Sequence, residues 1–74
     1  MRQRHTLFAN IDAVDEETLR KLRHDLRSPL VVIAGFAQLL SGDREITETE
    51  RRDYADRILR ASQEMEQLMT DALG

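Results

Sequence analysis

Apolar residues in this chain recur at alternating intervals of three and four over two long stretches. Leu19, Leu22, Leu26, Pro29, Ile33, Phe36 and Leu40 form the first series, and Tyr54, Ile58, Ala61, Met65, Leu68 and Ala72 the second. That period keeps every member on one stripe of an α-helix, in the a/d spacing of helices that pack against each other. No stretch alternates as a half-buried strand would, and there is no internal repeat or low-complexity tract. The chain is therefore expected to be all-α.

The helix ends carry their own signals. Asp15, Glu16 and Glu17 place negative charge in an opening turn, where the helix dipole favours it, so the first helix is expected from about residue 15 to 41. Gly42 then supplies a left-handed residue to end it. Thr47 and Glu50 have the T-x-x-E spacing of a capping box, which starts a second helix running to about residue 73. Glu48–Arg52, Asp53–Arg57 and Asp56–Arg60 are acid-to-base pairs one turn apart on its wet face, each worth a few tenths of a kcal/mol. Both helices come to about 27 residues, or about 40 Å. The link at residues 42–46 is short, which predicts an antiparallel helical hairpin of matched arms.

Such a hairpin is short of core. The 74 residues include only two Phe and one Tyr, no Trp, and 34% charged residues. Burial by one copy falls short of ordering costs of roughly 1.5 kcal/mol per residue. Pairing of two hairpins into a homodimeric four-helix bundle is the expected remedy. Leu30, Val31, Val32 and Leu39 widen the stripe of the first helix, so that half is expected to meet more than one neighbour. Residues 1–14 read as a linker or the end of an upstream signalling helix, in which Leu7, Phe8, Ile11 and Val14 have helical spacing. His5 reads as part of that linker. Residues 15–74 form the domain proper.

With no cysteine, disulfides and thiolate metal sites are excluded. His5 and His24 are the only histidines, and neither has a ligand-type partner one turn away, so no metal site is expected. A formal charge of −3 argues against a nucleic-acid partner. The longest apolar run, Leu30 to Ala37, contains a glycine and is too short to span a bilayer, so no membrane contact is expected of this segment.

His24 remains. Numbering the seam from Leu19 as a puts His24 at f, furthest from the packed stripe, with Arg20 and Ser28 one turn to either side. An imidazole there is open to solvent, and its neutral form is a nucleophile. Asp25, directly after it, can accept a hydrogen bond from one ring nitrogen and leave the other nitrogen's lone pair free. Pro29 lacks an N–H and crowds the carbonyl of Asp25, so a weak point and a bend are expected within a turn of His24. The basic cluster Arg20, Lys21, Arg23 and Arg27 reads first as a solvated face and second as a docking surface.

The run His24-Asp25-Leu26-Arg27-Ser28-Pro29-Leu30 closely resembles the H-box of bacterial sensor histidine kinases, His-[Glu/Asp]-x-[Arg/Lys]-[Thr/Asn]-Pro-[Leu/Ile]. The following Leu30-Val-Val-Ile33-Ala-Gly35 fits as well. The likeness extends from about Val14 to Gly74 and is to the dimerization and histidine phosphotransfer (HisKA-type) domain. It implies that His24 is the phosphoacceptor, that Asp25 orients it and assists proton removal, that Pro29 is the bend, and that Arg27 contacts phosphate or a catalytic domain. The position four after the histidine is Thr or Asn in that family, where it aligns water for dephosphorylating the regulator. Ser28 keeps a hydroxyl on a freer rotamer, so this departure bears on the phosphatase step and leaves phosphoacceptance untouched.

The resemblance also implies a homodimer, a catalytic domain that brings ATP and Mg2+, and a response-regulator receiver domain whose aspartate takes the phosphate. The glycine-rich and asparagine-bearing motifs of an ATP-binding domain are absent, so no cofactor is expected on this chain and no self-phosphorylation by it alone. It is expected to be a piece of a longer kinase or a stand-alone phosphotransfer relay, and Ala72-Leu73-Gly74, still in helical phase, favours the first. A non-catalytic dimerisation module is the rival from another class. The setting is cytoplasmic, either free or as the cytoplasmic part of a membrane-bound sensor.

Overall fold

The structure, a computed structural model, describes residues 15–74; the expectations for His5, Leu7, Phe8, Ile11 and Val14 lie outside them. Two helices, α1 (Glu16–Ser41) and α2 (Glu48–Leu73), pack against each other as a hairpin. Each has 26 residues, so the arms match. No strand occurs among the described residues.

Both starts are capped by side chains. Asp15 is the N-cap of α1, with a side-chain oxygen accepting from the Thr18 N–H at 2.7 Å. The Asp15 carboxyl is held below its ordinary pKa, first by its hydrogen bonding with Thr18. At α2 the Thr47 hydroxyl accepts from the Glu50 N–H at 3.0 Å, while the Glu50 carboxylate accepts from the Thr47 N–H at 2.9 Å. That reciprocal pair is a complete capping box. The expected ion pairs of α2 form too, at 3.8 Å for Arg52–Glu48, 3.1 Å for Arg57–Asp53 and 2.9 Å for Arg60–Asp56.

The end of α1 differs from the expectation. Gly42 has φ −78° and ψ 176°, an extended conformation and not a left-handed one. A Cβ there would lie 3.3 Å from the Gln38 carbonyl oxygen. Glycine thus serves close approach to the last turn, not a positive φ. The only positive φ among the described residues is at Gly74, 79°, where the N–H donates to the Thr70 carbonyl at 2.8 Å.

The predicted seam faces inward. Leu22, Pro29 and Ala61 are buried, and Leu26, Ile33, Phe36, Leu40, Tyr54, Ile58, Met65, Leu68 and Ala72 are half-buried; Leu19, at the open end, is exposed. Near the loop the Phe36 and Tyr54 rings meet with centroids 5.2 Å apart, and the Arg57 guanidinium lies 5.5 Å over the Phe36 ring. Even so, no large side chain is fully buried among the described residues. Leu19, Leu30, Val31, Val32, Leu39, Leu59, Met69 and Leu73 stay exposed. Stepping about 100° per residue, Leu19 and Leu30 of α1 turn to the same side of the hairpin as Leu59, Met69 and Leu73 of α2. Val32 and Leu39 turn to the opposite side, and Val31 points away from α2.

Candidate functional site

His24 sits a little over two turns into α1, on the half of the helix away from the seam. Leu22 and Leu26, which flank it in sequence, fix that rotation by packing toward α2. Its side chain is 86% exposed. Nδ1 lies 3.3 Å from Asp25 Oδ1, a long hydrogen bond, because neighbours in sequence on a helix do not point the same way. In the tautomer with the proton on Nδ1, that nitrogen donates to Asp25 and the Nε2 lone pair is the one left free.

Asp25 itself is only 35% exposed. It lines a cleft between the helices with Thr18, Lys21 and Leu22 on its own side and Leu68, Asp71 and Ala72 on α2. The acid is thereby anchored at the rim of the helix interface while the imidazole beside it is free.

One turn on, Ser28 and Pro29 line the next groove, opposite Arg57, Arg60, Ala61 and Glu64 of α2. Pro29 is buried against α2, and α1 is helical without a break through it. The lost N–H still leaves the Asp25 carbonyl without its in-helix donor. Arg27 is exposed, with no carboxylate within 4.0 Å among the described residues. The structure thus brings His24, Asp25, Ser28 and Arg27 to one stretch of surface and assigns Pro29 to the packing beneath. Arg60 and Glu64, which line that groove with Ser28, carry no mark in the sequence pattern.

Residues 15–73 match the His Kinase A (phospho-acceptor) domain, HisKA. The chain belongs to that family. HisKA domains are parts of histidine kinases, which are phosphotransferases, and the exposed histidine on a capped, seam-packed helix accords with a phosphoacceptor and dimerization role. No curated protein and no solved structure matches the chain. No helix of this HisKA hairpin, among the described residues, is long and apolar enough to cross a membrane. Nor do any three His, Cys, Asp or Glu side chains gather as a metal site there.

Proposed function

We propose that this HisKA hairpin is the dimerization and phosphotransfer unit of a two-component sensor kinase, with His24 as the residue phosphorylated. One observation carries the proposal: the matched stretch contains a single histidine, and its side chain is 86% exposed with Nδ1 3.3 Å from a carboxylate oxygen. A catalytic domain outside this hairpin supplies ATP and Mg2+. The Nε2 lone pair attacks the γ-phosphorus. The P–N bond forms as the bond to the β,γ-bridging oxygen breaks, and ADP leaves with that electron pair. The ring gains positive charge, which Asp25 offsets from Nδ1 or relieves by accepting its proton. A carboxylate oxygen of a receiver aspartate then attacks the same phosphorus, and the P–N electrons return to Nε2. Arg27 steadies the phosphoryl group or the visiting domain, Ser28 orients water in any dephosphorylating step, and Pro29 gives the helix a weak point beside the site.

The other half of the proposal is a homodimer, which covers the side bearing Leu19, Leu30, Leu59, Met69 and Leu73. His24 stands roughly 120° round α1 from Leu30, so pairing on that side leaves the imidazole in solvent. The site then works in the cytoplasm, where ATP is available.

The test is to incubate the chain with ATP and the catalytic domain of a histidine kinase. Acid-labile, base-stable phosphate that disappears in His24→Gln supports the proposal. Label taken only from a phosphorylated receiver makes the chain a relay. A dimer that takes label from neither leaves a purely structural module and rejects it.

A further inference from the structure

The charged residues of the two helices are treated differently. Every arginine of α2 has a carboxylate partner: Arg51 and Arg52 reach Glu48 at 3.2 and 3.8 Å, Arg57 reaches Asp53 at 3.1 Å, and Arg60 reaches Asp56 at 2.9 Å. Around His24 on α1 the pattern is reversed. Arg20, Lys21, Arg23 and Arg27 have no carboxylate within 4.0 Å among the described residues, although Glu16 shares a shallow depression with Arg20 and Arg23. Four cations at helical spacing repel one another by a few tenths of a kcal/mol per pair. An anion arriving beside the row would relieve that repulsion.

Its placement says where the anion goes. Stepping about 100° per residue, Asp25 lies to one side of His24, and Arg20 and Arg27 lie to the other. Arg20 precedes His24 by one turn and Arg27 follows by nearly one, each with Cβ about 5–6 Å from that of His24. The carboxylate engages Nδ1, so the arginines stand on the flank that the acid leaves open, within reach of a group built on Nε2.

We propose that Arg20, acting with Arg27, is a phosphoryl-binding residue that holds the non-bridging oxygens of phosphohistidine 24. This rests on His24 being the residue that carries phosphate. A guanidinium offers paired N–H donors matched to phosphate oxygens, and it stabilises the dianion over the monoanion.

The test separates this from the kinase reading by loading the full chain chemically with phosphoramidate, which needs no catalytic domain. The 31P resonance of phosphohistidine 24, assigned by its loss in His24→Gln, is followed against pH. The phosphoryl group should titrate roughly half a pH unit lower in the unaltered chain than in Arg20→Gln. Arg20→Lys should fall between them, and the difference should shrink in molar salt. Arg52→Gln removes the same charge from α2 and should superimpose on the unaltered chain. Coincident curves for Arg20→Gln and the unaltered chain would overturn the proposal, as would an equal displacement by Arg52→Gln. A flat titration with slowed transfer to a receiver would reassign Arg20 to partner docking and equally overturn it. If His24 takes no phosphate from phosphoramidate, both readings fall; if it does but a catalytic domain never labels it, only the kinase reading falls.

Discussion

The Asp25 carboxylate lies 3.3 Å from His24 Nδ1, a long contact, so in the proposed reaction orientation and charge are its expected contributions ahead of proton acceptance. Asp25→Asn keeps an oxygen facing Nδ1 and removes the charge. It should slow labelling of His24 by about 10-fold, short of the 10²–10⁴ lost with a full general base, while Asp25→Ala should lose more. Equal rates for Asp25→Asn and the unaltered chain, in a timed phosphorylation with excess catalytic domain, would show that the acid is idle. This much of the site was legible beforehand, because the f position of a helix seam and the residue after it are fixed by rotation alone. Arg60 and Glu64 were not legible. Which residues of α2 share a groove with Ser28 depends on how far one helix slides along the other, and that is set by the packing of the two helices, not by any local pattern.

The two helices owe their ends to side chains that can be removed singly. Thr47→Ala breaks the reciprocal pair with Glu50 and should cost about 1 kcal/mol, read as a lower denaturation midpoint. The caps also set a pH dependence. Glu50, like Asp15, is held below its ordinary pKa, first by the hydrogen bond from the Thr47 N–H. A depressed folded-state value means that the stabilisation is complete above the unfolded pKa and is lost as pH falls through the folded one. Thermal stability should therefore be flat near neutrality and drop below about pH 4, with a smaller drop in Glu50→Gln, which still accepts from the Thr47 N–H but does not titrate. Gly42 shows the limit of reading helix ends from composition. A glycine after the last seam residue marks a stop, yet two physical reasons give that signal, a positive φ or the need for no side chain. Here φ is negative and the Gln38 carbonyl is close. Gly42→Ala should accordingly shift stability by no more than about 0.5 kcal/mol, because the lower chain entropy of alanine offsets a contact that small adjustments relieve. A loss well beyond that in a urea titration would mean the backbone cannot give.

For the molecule as a whole, the decisive fact is how little one hairpin covers, with Leu22 and Ala61 as its buried hydrophobic core residues. Leu30→Asp and Met69→Asp each put a charge on the side proposed to pair, and each should shift sedimentation from dimer toward monomer and lower the denaturation midpoint. Val31→Ser, on a side chain facing away from α2, should leave association unchanged. A monomer in the unaltered chain at high concentration would remove the bundle. The hairpin and its shortage of core were both apparent in the spacing and composition. The sidedness of the surplus leucines needed the hairpin itself, because a face shared by two helices exists only once they are side by side. Antiparallel arms also put the bend at residues 42–47 at the opposite pole from the start of α1 and the end of α2. His24 is 17 residues ahead of Ser41, roughly 25 Å along the axis. A fluorescent reporter or short tether placed at Asp43 to Glu45 would thus report how two copies meet while standing clear of the chemistry.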